Sequence, residues 1–329
     1  MNLEKERCLV TGAGGFIGYH LSKKLINKCS SVLCLDNLNS YYDQELKKKR
    51  VKDIEEYAES LALSSEEYKF IEMDLREGNK IDSIVKKYAP TSICHLAAQP
   101  GVRYSFENPQ SYIDNNITAT INLLEAAHKY GVNDIVFAST SSVYGLSKEM
   151  PFNEDSSIDS TISVYAATKR ACELLCHTYN KNYGIRFRIL RFFTAYGEWS
   201  RPDMAPILFT KAIMSNEPIK VYNFGKMRRD FTYVGDIVEG FTAALTNKMD
   251  FEILNLGYGS STDLMTFIET LENSLGHKAK KELLPIQPGE VTDTWADISK
   301  ARKLLGFNPK VGINEGVPRF VDWYMNYYK

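Results

Sequence analysis

The sequence predicts an α/β protein: a doubly wound (Rossmann) parallel sheet with a smaller C-terminal α/β substrate-binding domain. Short apolar strand segments alternate with amphipathic helices in the first part of the chain. A glycine-rich turn separates the first strand from the first helix, and past residue 194 prolines divide the chain into shorter elements. Alternation of apolar strands and helices is typical of a parallel sheet covered on both faces. We therefore expect ligands at the carboxyl ends of the strands.

The elements follow in order along the chain. Strands are predicted at RCLVTG (7–12), SVLCLD (31–36), YKFIEMD (68–74), SICHLAA (92–98) and DIVFAS (134–139). Helices are predicted at 15–28, 41–67, 80–88, 109–130, 203–215, 234–247, 262–275 and 299–305. We expect a first domain over residues 1–193, with returning segments around 231–259, and a second domain mainly over residues 194–329.

Composition and charge exclude several classes of function. The formal net charge of -1 provides no basic field for nucleic acid. The N-terminus MNLEKERCLV has charges where a signal peptide has an apolar core, and no apolar run is long enough to span a membrane. We therefore expect a cytoplasmic protein without membrane insertion. The six scattered cysteines and the histidines form no metal motif, and the basic run ELKKKR (45–50) is predicted to be a solvated helix face.

The stretch VTGAGGFIG (10–18) predicts a dinucleotide site. Gly12, Gly15 and Gly18 lie between the first strand and the first helix. Glycines there allow a tight turn and close approach to a pyrophosphate, which the N–H groups of the helix N-terminus attract. Asp36, which ends the second strand, is placed to accept hydrogen bonds from the adenosine ribose and to repel a 2′-phosphate. The predicted cofactor is therefore NAD.

The glycine spacing, together with MDL (73–75) and HLAA (95–98), resembles the extended short-chain dehydrogenase/reductase family. This resemblance implies a set of residues in contact with tightly bound NAD. They are Gly12, Gly15, Phe16, Ile17, Gly18, Asp36, Asn37, Asp74, Leu75, Leu96, Ala97, Ala98, Gln99, Asn115, Ser139, Tyr165 and Lys169.

The segment YAATK places Tyr165 and Lys169 four residues apart, on one face of a helix. A nearby ammonium stabilises a tyrosinate, so we expect Lys169 to lower the pKa of Tyr165 and make it a general base. Thr140 lies 25 residues before Tyr165, where the family has its third catalytic residue, a Ser or Thr.

Further stretches, LRFFTAYG (190–197) and RRDFTYVGDIVEG (228–240), resemble the nucleotide-sugar epimerase branch of the family. AAQPGVRYSFENP (97–109) and RPDMA (201–205) are most similar to its UDP-glucuronate 4-epimerase group. The chain departs from that group at Glu198-Trp199-Ser200, where Pro-Trp-Gly is frequent. For Arg229, expected to bind the diphosphate, the alternative is a surface ion pair with Asp230. The implied contacts to a UDP-sugar are Pro100, Arg103, Thr140, Ser141, Ser142, Tyr165, Thr194, Arg201, Arg229, Gln287 and Glu290.

The run ASTSSVYG (138–145) has hydroxyls where related decarboxylases and dehydratases have an acid. We expect Ser141 and Ser142 to donate hydrogen bonds to a substrate carboxylate, which favours a UDP-hexuronic acid as substrate. A neutral UDP-sugar 4-epimerase, a UDP-glucuronate decarboxylase and a catalytically dead NAD sensor are the alternatives. The family typically forms homodimers through the helix that carries Tyr165 and the helix around 109–130.

Overall fold

A computed structural model describes residues 3–147, 149–156, 158, 160–287 and 289–328. Its centre is a sheet of seven parallel strands in the order β7-β6-β5-β4-β1-β2-β3. The strands are β1 (Arg7–Thr11), β2 (Ser31–Asp36), β3 (Tyr68–Glu72), β4 (Ser92–His95), β5 (Asp134–Thr140), β6 (Arg186–Phe192) and β7 (Phe251–Leu256). The strand order reverses between β1 and β4, which opens a crevice at the carboxyl ends of these strands. The predicted fold class is confirmed.

Helices cover both faces of the sheet. They are α1 (Phe16–Ile26), α2 (Gln44–Ser60), α3 (Gly78–Tyr88), α4 (Tyr104–Glu107), α5 (Pro109–Tyr112), α6 (Ala119–Lys129), α7 (Val164–Tyr183), α8 (Ala205–Met214), α9 (Val234–Thr246), α10 (Leu264–Leu275), α11 (Ser299–Leu305) and α12 (Ile313–Tyr328). On one face Leu21 of α1 and Phe241 of α9 pack in a core with β1 residues. On the other, Val85 of α3 and Leu123 of α6 form a second core. Burial on both faces explains why the inner residues of β1, β2 and β4 are mostly apolar.

A third apolar cluster is built mostly from the C-terminal half of the chain and includes Phe16 at the start of α1. Ile207 of α8, Phe267 of α10 and Phe320 of α12 are buried in it, and the rings of Phe231 and Phe267 stack with centroids 4.1 Å apart. Short strands flank this cluster in three small sheets. They are Thr194–Tyr196 with Phe231–Tyr233, Pro218–Val221 with Lys280–Leu283, and Arg228–Arg229 with Thr262–Asp263 and Asp293–Thr294.

One helix was missed in the sequence analysis, and the prediction for one helix face is wrong. Helix α12 is not among the predicted helices, because Gly316 and Pro318 interrupt its pattern, although Val317, Phe320 and Val321 are buried along one face. The run ELKKKR does not lie wholly in solvent. Lys47 and Arg50, three residues apart, point inward from α2 and are 5% and 0% exposed. The segment before α2 contacts both side chains, and the loop at Trp199 also covers Arg50.

The described residues contain no group of three or more His, Cys, Asp or Glu side chains arranged to hold a metal ion. All six cysteines are free thiols. Within the same residues, no helix is long and apolar enough to cross a membrane.

Candidate active site

A cleft with about 1210 Å³ of empty space opens at the carboxyl ends of the central strands. The turns that follow β1, β2, β3 and β4 form one side of it, and the start of α7 forms another. All the predicted cofactor residues except Gln99 lie on its wall. They are Gly12, Gly15, Phe16, Ile17, Gly18, Asp36, Asn37, Asp74, Leu75, Leu96, Ala97, Ala98, Asn115, Ser139, Tyr165 and Lys169.

The glycine turn after β1 tolerates no side chain at two positions. Gly12 has a φ of +76°, and a Cβ there would lie 2.7 Å from the backbone nitrogen of Ala97. A Cβ on Gly18 would lie 2.0 Å from the carbonyl oxygen of Gly12. Helix α1 begins after Gly15 without a side-chain cap, so its first N–H groups are free to bind an anion. This turn therefore fits the pyrophosphate of a dinucleotide.

Asp36 is held in place at the end of β2. Its carboxylate accepts hydrogen bonds from the backbone N–H groups of Gly14 (3.0 Å) and Leu38 (2.8 Å). Burial raises the pKa of Asp36, and the positive charges of Lys47 and Arg50 oppose that rise. Burial lowers the pKa of Lys47 to about 8. The acid predicted to bind a ribose is thus joined by a lysine on the cleft wall that the sequence analysis missed.

Asp74 and Asn37 meet at the next turn along the cleft. The Asn37 amide donates to the Asp74 carboxylate at 3.0 Å. Burial acts to raise the pKa of Asp74, but hydrogen bonds from Arg76 and Asn37 outweigh it and lower the pKa to about 2. Asp74 therefore stays ionised over the neutral pH range.

Gln99 does not lie on the cleft wall. Its side chain is 2% exposed and donates to the carbonyl of Pro100 at 3.3 Å. Its backbone N–H donates to the side chain of Asn116 at 2.6 Å, and Asn116 in turn donates to Thr168 at 2.9 Å. In the described chain these contacts tie the Gln99 segment to α7, which carries Tyr165.

Tyr165 and Lys169 project into the cleft from the first turns of α7. The helix is capped by Ser163, whose hydroxyl accepts from the N–H of Ala166. Burial raises the pKa of Tyr165, while a hydrogen bond with Thr140 and the charge of Arg201 act to lower it. Burial lowers the pKa of Lys169, whose ammonium lies 4.2 Å from the Phe137 ring centroid. The expected lowering of the Tyr165 pKa by Lys169 is wrong for the protein alone, because burial dominates.

The hydroxyl run forms a tight turn at the end of β5. Thr140 caps a 3₁₀ turn over Ser141–Tyr144: its oxygen accepts from the N–H of Ser142 at 3.2 Å and its hydroxyl donates to the Ser142 hydroxyl at 3.2 Å. Ser141 and Ser142 are both half-buried. The Ser139 hydroxyl points away and donates to the buried carboxylate of Glu173 at 2.6 Å. The Thr140 hydroxyl lies within hydrogen-bond reach of Tyr165. Thr140, Ser141 and Ser142 are not among the residues that line the main cleft.

The predicted substrate residues fall into separate groups. Pro100, Tyr165 and Arg201 line the main cleft. The Arg201 guanidinium pairs with both carboxylate oxygens of Asp203, at 3.0 and 3.1 Å, and Tyr41 donates to Asp203 at 3.2 Å. Thr194 begins the short strand beside the cleft, next to Ala195 on its wall.

A second group lies on the segment around residue 290. Arg103 forms an ion pair with Glu290 and stacks over the Tyr222 ring at 4.8 Å. Glu290 lines a second cleft of about 1060 Å³, next to Gly145, which follows the hydroxyl turn. The side-chain oxygen of Gln287 is buried and has no hydrogen-bond partner among the described residues. A buried acceptor without a partner is costly, so this oxygen fits a donor group of a ligand.

The alternative considered for Arg229, an ion pair with Asp230, is wrong. The Arg229 guanidinium donates to the carbonyls of Val291 at 2.7 Å and Thr292 at 2.9 Å. The Asp230 carboxylate is buried and accepts from the N–H groups of Tyr258, Gly259 and Ala296. Arg229 thus fixes the backbone just after Glu290, and Asp230 joins separate loops of the site.

Other residues on the main wall lie outside the predicted set. They are Leu35, Asn39, Tyr41, Tyr42, Lys47, Met73, Ala119, Ala138, Phe192, Ala195 and Met204. Several come from the loop between β2 and α2, where no local motif marks a site. Lys47 and Arg50 share a face of α2 with the buried residues Leu46 and Val51. Their spacing is the sign in the sequence that these charges point inward.

Two histidines, the buried His95 and the half-buried His20, make stability depend on pH. Burial lowers the pKa of His20 to about 4 and, with the charge of Lys169, that of His95 to about 3. Unfolding restores a pKa near 6.5, so below that pH the unfolded state binds more protons and is favoured. We expect the free energy of unfolding to fall by about 2 kcal/mol per histidine from about pH 7 to about pH 5. Urea unfolding at the two pH values measures this.

The His20→Gln variant separates this contribution from other titrations. The His20 ring donates to the carbonyl of Glu198 at 2.9 Å, and glutamine keeps a donor there. We expect the variant to lose about half of the histidine-dependent fall in stability. His128→Gln, at an exposed position, is the matched control and keeps the full pH dependence. If the native protein were equally stable at both pH values, His20 and His95 could not both be neutral in the folded state.

Comparison with known proteins assigns the chain to a family. The sequence profile described as the NAD dependent epimerase/dehydratase family matches residues 8–257. The chain belongs to this family. The predicted family and its NAD cofactor are confirmed.

Individual relatives show which members of the family the chain is similar to. The chain is 43% identical over 316 residues to a UDP-glucuronate 4-epimerase of Thermodesulfobacterium geofontis, covering 96% of this chain and 95% of the relative. It superposes with a TM-score of 0.89 and 36% identity on UDP-glucuronic acid 4-epimerase from Bacillus cereus in complex with UDP-glucuronic acid and NAD, covering 98% of this chain and 100% of that one. A UDP-glucose 4-epimerase from Thermotoga maritima is also similar, with a TM-score of 0.87 and 28% identity, over 98% and 100% of the two chains.

Proposed function

We propose that the protein is an isomerase, an NAD-dependent UDP-glucuronate 4-epimerase that interconverts UDP-glucuronate and UDP-galacturonate. The observation that carries the proposal is that the turn Thr140-Ser141-Ser142 contains no acid and that its Thr140 hydrogen-bonds with Tyr165. The similarity to UDP-glucuronate 4-epimerases over nearly the whole chain supports it.

The main cleft fits NAD in its shape and donors. The pyrophosphate would lie against the glycine turn and the free N–H groups of α1, and the adenosine ribose would bind Asp36. NAD, when bound, supplies the carbon that accepts a hydride from C4 of the sugar and returns it. Tyr165 and Lys169 also line this cleft, and the sugar would be held beside them.

Tyr165 acts as the general base in this proposal. Its phenolate removes the proton from the 4-hydroxyl as C4 is oxidised, and the phenol gives the proton back when the ketone is reduced on its other face. Burial raises the pKa of Tyr165 in the protein alone, and the hydrogen bond with Thr140 and the charge of Arg201 act against that rise. Lys169 is the cation next along the helix and adds to the positive potential of the site.

The hydroxyls of Ser141 and Ser142 would hold the substrate carboxylate. A 4-keto uronate is a β-keto acid, which loses carbon dioxide readily. Each hydrogen bond to a charged acceptor contributes roughly 1.5–3 kcal/mol, and loss of carbon dioxide forfeits these bonds. Thr194 would contact the sugar from the opposite side. The nucleotide diphosphate would lie near Arg229, and Gln287, Arg103 and Glu290 would bound the UDP end.

The test is a panel of UDP-sugars incubated with purified protein without added NAD and followed by proton NMR. We expect UDP-glucuronate and UDP-galacturonate to interconvert with no net redox change, which also shows that NAD is retained. Turnover of UDP-glucose or UDP-N-acetylglucosamine alone would contradict the proposed substrate. Release of the carboxyl carbon as carbon dioxide at the rate of turnover would identify a decarboxylase instead.

The proposal includes the organisation of the chain. Residues 1–193, with returning segments around 231–259, would bind NAD, and residues 194–329 would bind most of the UDP-sugar. The apolar cluster of α8, α10 and α12 supports a second unit, although Phe16 and Phe231 from the segments assigned to NAD binding also pack in it. A homodimer through α7 and the 109–130 region is supported by exposed Leu174 and Ile113, and the expected location is the cytoplasm.

A further inference from the structure

Arg50 carries a buried charge that does not line the main cleft, although it helps to keep Asp36 ionised. It lies on α2 with a fully buried side chain. In the described part of the chain no ion pair joins it to a carboxylate, and its Nε atom has no hydrogen-bond partner. A buried charge is costly unless polar groups compensate it. Its contacts therefore indicate what the guanidinium does.

These contacts join three separate segments of the cleft. One terminal nitrogen of Arg50 donates to the carbonyl of Gly14 at 2.9 Å and to the Tyr42 hydroxyl at 2.6 Å. The other donates to the carbonyl of Trp199 at 2.5 Å and lies 3.4 Å from that of Ser200. Gly14 belongs to the glycine turn, and Ser200 directly precedes Arg201 on the opposite wall.

The loop before Arg201 needs such a restraint. Trp199 has a φ of +59°, a conformation that bulky residues rarely adopt and that costs on the order of 1–3 kcal/mol. Additional contacts hold the same loop: His20 of α1 donates to the Glu198 carbonyl, and the Tyr233 hydroxyl lies 2.8 Å from both Glu198 carboxylate oxygens. Side chains of both α1 and α2 therefore hold this loop through hydrogen bonds.

We propose that Arg50 is a positioning residue that couples the glycine turn to the loop that presents Arg201. The proposal rests on the proposed function, since it takes the glycine turn as the NAD site and Arg201 as part of the sugar site. One rigid guanidinium donates both to the glycine turn and to the Trp199 loop. A displacement of the glycine turn is therefore passed on to the carbonyls of Trp199 and Ser200. Occupancy of the sugar site then stabilises the nucleotide site, and the reverse holds by linkage.

The experiment measures the release rate of NAD from the holoenzyme with and without saturating UDP-glucuronate, whose binding is measured separately by calorimetry. In the native protein we expect UDP-glucuronate to slow release by about tenfold or more. In Arg50→Gln we expect the ratio of the NAD release rates without and with UDP-glucuronate to fall below about threefold. We also expect the KM for UDP-glucuronate to rise by a larger factor than kcat changes. Lys52→Gln, on the exposed side of α2, keeps the native ratio.

A purely structural role predicts a different result. Arg50→Gln would then release NAD faster by the same factor with and without UDP-glucuronate, and this would overturn the proposal. If Arg50→Gln does not fold, Arg50→Lys is the variant to measure. One ammonium cannot donate to all four acceptors of the guanidinium, so the ratio of NAD release rates should be intermediate. An unchanged ratio would again overturn the proposal. Native protein that binds UDP-glucuronate without slowing NAD release contradicts the coupling alone, whereas absence of UDP-glucuronate binding contradicts the proposed function.

Discussion

Replacing Tyr165 with phenylalanine is expected to slow epimerisation by about 10²–10⁴-fold, the usual contribution of a general acid or base. The variant loses one hydroxyl in a site where the ring still packs edge-on against Tyr112, with ring centroids 6.1 Å apart. Its fold and its NAD content should therefore be close to native. Initial rates with UDP-glucuronate by proton NMR, together with NAD released on denaturation, measure both properties.

A matched control uses another tyrosine of the same helix. Tyr183 lies at the far end of α7 and is 47% exposed, so Tyr183→Phe should keep the native rate. Full activity of Tyr165→Phe would remove Tyr165 from the chemistry, whichever UDP-sugar is the substrate. Equal loss of rate and of bound NAD would indicate damage to the nucleotide site instead.

Restoring an acid at the hydroxyl turn, as Ser142→Glu, is expected to raise the KM for UDP-glucuronate by at least about tenfold. Loss of one hydrogen bond to a charged carboxylate accounts for roughly 1.5–3 kcal/mol, and the added negative charge repels the substrate. The sugar of UDP-glucose is uncharged and lacks the carboxylate, so binding of UDP-glucose measured by calorimetry should change little. Kinetics over a range of UDP-glucuronate concentrations separate KM from kcat.

The Ser142→Ala variant distinguishes the lost hydrogen bond from the added charge. It removes the hydroxyl that accepts from Thr140 without introducing repulsion, so its KM should lie between those of native protein and Ser142→Glu. Unchanged KM in both variants would exclude Ser142 from carboxylate binding. An equal rise for UDP-glucose and UDP-glucuronate would show that the substitution distorts the turn.

Residues in local motifs were predictable from the sequence. Gly12 and Gly18 are fixed by steric limits on the turn after β1, and Asp36 by its place at the end of β2. Tyr165 and Lys169 share a helix face whatever the rest of the fold does. In each case the physical cause acts over a few residues, so spacing in the sequence is enough to place the side chain.

Residues whose positions depend on distant segments were not predictable in this way. Arg50 is buried because the Trp199 loop, 149 residues further on, covers it. Arg229 meets the carbonyls of Val291 and Thr292 rather than its neighbour Asp230. The pKa of Tyr165 is raised because burial, a property of the folded chain, outweighs the nearby hydrogen bond and charge.

The central claim is that C4 of a UDP-hexuronic acid is oxidised and reduced again within one site. The most direct test incubates purified protein with UDP-glucuronate carrying deuterium at C4, in ordinary water and without added NAD. The account predicts UDP-galacturonate that keeps both the deuterium at C4 and the carboxyl carbon. Product with hydrogen from water at C4, or UDP-pentose formed with release of carbon dioxide, would contradict it.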